Sequence, residues 1–225
     1  MYRARHGQCP CIAGVAQTAQ RGRTSDGRRS ASRRWHSRCI PLRRYRIPFR
    51  RALVKYTPGY GRSYIPSSQT ARDHVARMKL IAVPEVVDGA SMVLCEDSIV
   101  RGTQLANHTI QKLWNAGARE IHMRAACPPL MFPCRYGFST RALEELVARR
   151  AIRSLEGDMS GNLERYLDED SPEHARMVEW TREMLKVTTL RYQRMEDVIA
   201  AIGLPADRLC TYCWTGKACG YRDAE

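Results

Sequence analysis

Glu96 and Asp97 stand side by side at the end of the apolar run Met92–Cys95, and Ser98, Arg101, Gly102 and Thr103 follow at once. Adjacent carboxylates repel each other, so a fold keeps such a pair where a cation or a set of hydroxyl donors offsets the charge. The residues after the pair have the opposite character. Two hydroxyls, a guanidinium and a glycine that permits close backbone approach suit an anion. A second chemical set lies towards the C-terminus. Cys210 and Cys213 are spaced as CxxC, which brings two thiolates close enough to share a zinc ion or an iron–sulfur cluster. With no secretory signal ahead of them, the nine cysteines are read as reduced thiols or metal ligands rather than a disulfide framework.

Positioning the acid pair requires a strand before it and a helix after the hydroxyls. Met92–Cys95 reads as a buried strand. Leu105–Ala116 carries apolar residues at helical spacing (Leu105, Ile110, Leu113, Trp114) and stops at Gly117. Glu120–Ala125 alternates as a strand does. Upstream, Gly59, Gly61, Pro66, Ser67 and Ser68 mark a loop before a short helix over Gln69–Lys79. Further helices are expected over Arg141–Arg150, capped by Thr140, over Pro172–Leu185, opened by Ser171, and over Met195–Ile202, closed by Gly203. Strand, helix, strand, helix predicts an α/β domain with a parallel sheet. The acid pair then ends a strand and Ser98–Thr103 turns into a helix, where parallel sheets bind ligands and helix N-termini favour anions. Carboxylates that accept from vicinal sugar hydroxyls beside Mg²⁺, followed by an anion-binding turn, describe a site for a ribose 5-phosphate.

The chain of 225 residues has room for one sizeable domain, or one domain with appendages, and its 44% hydrophobic fraction is ordinary for a globular protein. No apolar run nears the roughly 18 residues of a membrane span. The N-terminus lacks the apolar core of a secretory signal, so a cytoplasmic protein without a membrane partner is expected. The charge is uneven. Residues 1–46 hold 12 Arg, no Lys and one acidic residue, Asp26, a net +11; the whole chain carries +14, which leaves +3 for the remainder. A polyanion partner is suggested for that segment alone, and nucleic acid is not expected as a partner of the rest. The segment has no sustained period and reads as a basic leader of low order.

MVLCEDSIVRGTQL resembles the phosphoribosyl pyrophosphate (PRPP) motif of type I phosphoribosyltransferases, an apolar strand leading into two acidic residues and a short Ser/Thr/Gly loop. DSIVRGT is the form of one branch, the glutamine PRPP amidotransferases, or amidophosphoribosyltransferases. IPFRRALVKYTPGYGRSYIPSSQTARDHVARMKL (Ile47–Leu80) is similar to that branch's flexible-loop segment. NAGAREIHMRAACPPLMFPCRYG (Asn115–Gly137) is similar to the segment after the motif, and GLPADRLCTYCWTG (Gly203–Gly216) to the closing one. The resemblance is strong between Ile47 and Gly137 and loose over 151–191.

This resemblance implies an α/β fold over 47–150, a type I phosphoribosyltransferase-like parallel sheet with flanking helices, truncated on its N-terminal side. A helical C-terminal extension carrying the cysteines follows over 151–225. It implies a reaction in which ammonia, taken from glutamine, displaces pyrophosphate from PRPP to give 5-phosphoribosylamine, the first step of purine synthesis. Glu96 and Asp97 would hold the ribose hydroxyls with Mg²⁺, and Ser98, Ile99, Val100, Arg101, Gly102 and Thr103 the PRPP 5-phosphate. Lys55, Tyr56 and Arg62 would act in catalysis by closing over the diphosphate, with Gly61 and Gln69 in the same loop. Gln104 departs from the second Thr usual in the family, and Glu96 from Asp. Cys134, Cys210 and Cys213 match three of the four ligands of a [4Fe–4S] cluster found in one subgroup, with Cys127 or Cys219 as candidates for the fourth. The intact family forms homo-oligomers.

Family members also carry a glutaminase domain and a pyrophosphate loop, and neither pattern precedes Ile47. The expectation is the C-terminal part of an amidotransferase behind an unrelated leader, with a sheet edge left unpaired beside the acid pair. The leader reads as an Arg-rich tail for RNA or as upstream coding sequence in a shifted frame; the abrupt join at Ile47 and Arg without Lys favour the second. Cys9, Cys11 and Cys39 receive no role. Two function classes result: an amidophosphoribosyltransferase-like enzyme, and a non-catalytic metal-bound module with a nucleic-acid-binding tail.

Overall fold

The computed structural model describes residues 12–17, 50–55, 80–136, 140, 142–160 and 162–217. The strands are β1 (Ile12–Gln17), β2 (Leu53–Lys55), β3 (Leu80–Ala82), β4 (Ser91–Glu96), β5 (Glu120–Ala125) and β6 (Thr189–Arg191). One sheet has the order β1-β4-β5-β6, and β2 and β3 form a separate antiparallel pair. The core of the larger sheet is the parallel trio β4, β5 and β6, with His122 beside Thr189 and Arg124 beside Arg191. Nearly every residue of β4 is buried, the pattern of a parallel strand covered on both faces. In β5 buried Ile121, Met123 and Ala125 alternate with half-buried Glu120, His122 and Arg124.

The chain divides into two units. Met1–Leu94 and Lys112–Ile121 make the first. It holds α1 (Pro84–Val87), the β2–β3 pair and buried Val87, Met92, Leu94, Leu113 and Ile121. Cys95–Gln111 and His122–Glu225 make the second. Its helices are α3 (Val147–Glu156), α4 (Leu163–Leu167), α5 (Pro172–Leu185), α6 (Met195–Ile202) and α7 (Tyr212–Thr215). Met131, Ala148, Ala151, Ile152, Tyr166 and Met177 form its apolar core. Ser171 caps α5 by accepting the His174 N–H at 3.0 Å, with Pro172 in the first turn.

The expected strand at 120–125 and the helices at 172–185 and 195–202 are found at those bounds. Other expectations are corrected. After the acid-pair loop the chain winds as a π-helix over Leu105–Ile110 before becoming α2 (Gln111–Asn115), a local form common at functional sites. The helix expected from Arg141 starts only at Val147, after a 3₁₀ turn at Leu143–Glu145 and an extended Leu146. The reason is tertiary: Leu146 is fully buried, and Val147, Ala148, Ala151 and Ile152 set the buried face. Thr140 caps no helix; its buried hydroxyl accepts the Cys134 N–H at 3.4 Å. β6 lies in the segment read as purely helical, too short for a period to show. Within the leader Ile12–Gln17 forms the strand beside β4, so that edge is paired rather than open. The helix expected over 69–79 lies outside the described residues, as does the rest of the leader.

Candidate functional site

Strand β4 delivers the acid pair at its C-terminal end. Glu96 is buried, 8% exposed, while Asp97 is exposed. Separating a buried carboxylate from a solvated one eases the repulsion expected of adjacent acids. Asp97 Oδ1 accepts the Ser98 N–H at 2.7 Å, and Glu96 O accepts the Ala126 N–H at 2.8 Å, which fixes the strand end. Ile99 is buried and anchors the turn. Val100 O accepts the Val147 N–H at 2.8 Å, so the turn satisfies one of the open amides at the start of α3.

Gly102 sits at φ +70°, and a Cβ there would lie 2.6 Å from Met184 Cε and 3.3 Å from Leu185 Cδ2. Its backbone conformation favours glycine, and a Cβ would also press on Met184 of α5. The side on which a Cβ would stand faces α5. Gly102 O then accepts the Ala106 N–H at 2.8 Å, opening the helix. Arg101 reaches out to Glu145 in an exposed ion pair. Arg150, which the sequence reading missed, directs Nη1 to Arg101 O at 3.4 Å and to Thr103 Oγ1 at 3.5 Å. It stands 47 residues along the chain from Thr103, so no local pattern announces it. The turn thus combines the hydroxyls of Ser98 and Thr103, two guanidinium groups and an exposed carboxylate, a setting for a phosphate beside a sugar.

No protein-family model matches the chain. Among curated proteins it is 36% identical over 172 residues to the amidophosphoribosyltransferase of Mycobacterium tuberculosis, covering 76% of this chain and 28% of that protein. The Bacillus subtilis amidophosphoribosyltransferase is 33% identical over 175 residues, with 76% and 31% covered. Among solved structures, the B. subtilis glutamine PRPP amidotransferase complexed with ADP and GMP matches with TM-score 0.60 and 30% identity, covering 92% of this chain and 38% of that one. A structure described as the allosteric regulatory enzyme of purine biosynthesis matches with TM-score 0.62 and 28% identity, covering 92% and 37%.

The chain belongs to the amidophosphoribosyltransferase family. It spans under a third of the length of the curated relatives named above, 28% and 31%, and matches their C-terminal part. Family members are phosphoribosyltransferases. Their Mg²⁺ finds suitable donors here: Glu96 and Asp97 offer hard oxygens, and an ion that keeps waters and substrate phosphates needs few carboxylates. Lys55 closes β2; its side chain, Tyr56 and Arg62 lie outside the described residues.

The family's cysteine positions are partly assembled. Cys134 and Cys213 are in hydrogen-bonding contact, and Cys210 lies near enough to disfavour the Cys213 thiolate. Burial first, then Cys134, push the Cys213 thiol up to about 11. Cys127 is buried with Trp214 beside it, and Cys219 lies outside the described residues. Among the described residues no three side chains form a metal-holding group. The described thiols therefore fall short of the four that a [4Fe–4S] cluster takes, and no chemistry is routed through one.

Sequence reasoning also missed Arg149. It is 3% exposed, donates to Met131 O at 2.5 Å and Met159 O at 2.8 Å, and lies 4.8 Å from the Phe132 ring centroid. Burial lowers its proton affinity. Its helical spacing of three residues from both Leu146 and Ile152, each buried, was the one available signal.

Proposed function

We propose that this chain binds PRPP at Glu96–Thr103 and catalyses the amidophosphoribosyltransferase half-reaction, in which ammonia attacks the anomeric carbon as the bond to pyrophosphate breaks. The observation that carries this reading is the acid pair at the end of β4, followed by a turn held on α3 and α5 with two guanidinium groups beside it. In this reading 47–150 is the catalytic domain and 151–225 its helical extension.

Glu96 and Asp97, at the strand end, accept hydrogen bonds from the ribose hydroxyls. Ser98 and Thr103 donate to the 5-phosphate along with the amides of the turn. Arg150 reaches the same oxygens. Arg101 is held by an exposed pair worth about 0–1 kcal/mol, so it exchanges Glu145 for phosphate at little cost. Mg²⁺, when bound, neutralises the diphosphate. Lys55, Tyr56 and Arg62 complete that neutralisation and exclude water from an oxocarbenium-like transition state. Positioning and charge neutralisation are the protein's work here, since no proton transfer at the sugar is needed to expel pyrophosphate. The reading further includes a cytoplasmic site of action and homo-oligomeric assembly. Among the described residues no helix is long and apolar enough to cross a membrane.

Calorimetric titration of PRPP with Mg²⁺ into wild type and Asp97→Ala tests the site. Binding that is lost in Asp97→Ala is expected; equal affinity in the two proteins refutes it. Pyrophosphate release with PRPP, Mg²⁺ and high ammonia tests the chemistry. The net +11 of residues 1–46 favours a second reading, a metal-bound module with a nucleic-acid-binding tail. Salt-dependent RNA binding that disappears on deleting 1–46, with no PRPP binding, would establish it instead.

A further inference from the structure

Strands β4, β5 and β6 end side by side, since Glu96 O accepts the Ala126 N–H at 2.8 Å and Ala125 O accepts the Gln193 N–H at 3.1 Å. Asp97, Cys127 and Tyr192 therefore follow one another along the edge at which parallel sheets take ligands. The loop after β5 is tied to the C-terminal segment. Met131 N and Phe132 N both donate to Cys213 O, at 2.8 and 2.9 Å. Phe132 packs on Tyr212 with ring centroids 5.7 Å apart, and a Cβ on Gly216 would meet Phe132 Cζ at 2.6 Å.

That tie seats Trp214 against Cys127. The indole N–H and the Tyr192 hydroxyl are both buried without a hydrogen-bonding partner of normal geometry. Both rings lie within electrostatic reach of the Cys127 thiol, itself 7% exposed. Burial pushes this thiol up to about 11; the Trp214 N–H acts against the rise and the Asp97 charge adds to it. Cys127 therefore lies near both the indole and, through the Glu96–Ala126 pairing, the exposed acid of the pair. An indole N–H left with a thiol as its nearest acceptor, and a phenol buried beside the same thiol, cost stability, so packing alone does not account for the two rings at this edge. A residue that seals the turn does.

We propose that Trp214 is a positioning residue of the PRPP site: seated on Cys127, it holds the Asp97 turn in place and couples the Cys213 segment to the ribose-binding acids. This rests on the reading of Glu96 and Asp97 as ribose ligands. A thiol group that loses its hold on the Cys213 segment would then loosen PRPP, although no cysteine touches it.

The test uses the full chain as wild type, Trp214→Phe and Trp214→Ala. PRPP with Mg²⁺ is titrated by calorimetry, and N-ethylmaleimide labelling of Cys127 is followed by peptide mass spectrometry. Trp214→Ala is expected to weaken PRPP by about two- to thirtyfold, the range for residues that transmit coupling through packing, and to label Cys127 faster by a similar factor. Trp214→Phe keeps the ring and stays near wild type in both. Faster labelling with unchanged PRPP affinity overturns the positioning role, and unchanged labelling overturns the seat itself. A wild type that binds no PRPP refutes the parent reading and the coupling with it; a wild type that binds while Trp214→Ala binds equally refutes the coupling alone. If Trp214→Ala is unfolded by circular dichroism, Trp214→Leu decides on the same two readouts.

Discussion

Replacing Gly102 by Ala asks how much of the phosphate turn is set by backbone geometry and how much by the helix behind it. The residue sits at φ +70°, where a Cβ costs about 1–2 kcal/mol. The new methyl also lies 2.6 Å from Met184 Cε. That atom is the end of a flexible side chain, and displacing it off its rotamer costs about 0.5–1.5 kcal/mol. The unfolded chain loses freedom with the added Cβ, which returns about 0.4–1 kcal/mol. The balance is about 2 kcal/mol of destabilisation, or about 4–8 °C in Tm for a chain of this size. Gly157→Ala is the control, because Gly157 sits at φ +83° with nothing within 4 Å of the added Cβ. Strain and chain entropy alone leave about 1 kcal/mol there. Differential scanning calorimetry on both variants, with PRPP titration, separates the two terms. Gly102→Ala should melt below Gly157→Ala and bind PRPP more weakly, while Gly157→Ala binds as wild type. Equal melting of the two variants would show that α5 does not press on the turn, and the account of Gly102 would fall.

Arg149→Met removes the donors from the buried Met131 carbonyl and the half-buried Met159 one; at about 1–3 kcal/mol for the buried acceptor stranded, it should lower the urea midpoint clearly. Ser171→Ala deletes the cap of α5 and should cost about 1 kcal/mol, read as a lower urea midpoint with unchanged slope. The Cys127 thiol has its folded pKa raised from 9.0 to about 11, so the folded state holds a proton that the unfolded chain has released. Its stabilising contribution is complete below pH 9 and is lost as pH rises through about 11, and urea midpoints across that window should fall less steeply in Cys127→Ala. Anaerobic expression should give a coloured protein if the cysteines carry a cluster, bleached in Cys213→Ser; a colourless protein with stoichiometric zinc would reassign the metal.

The sequence by itself placed the acid pair of CEDSIVRGT at the end of a buried strand, found at Ser91–Glu96, because an apolar run and the polar residues that end it are local signals. Ser171-Pro172 and Gly203 placed α5 and α6 because caps are local, and Glu120–Ala125 declared itself by alternation. Tertiary structure alone decided what holds the turn. Glu145 takes Arg101, Arg150 from α3 approaches Thr103, and Met184 from α5 crowds the place of a Cβ at Gly102, all across separations that no window of sequence spans. It decided that Thr140 serves Cys134 rather than a helix, because burial of Leu146 and Val147 moves the start of α3 past it. It also separated the cysteines, which look alike as a sequence: Cys134 and Cys213 meet, while Cys127 goes to Trp214 at the sheet edge. Spacing can bring thiols onto one turn of chain, but only the packing of distant segments determines which thiols face one another.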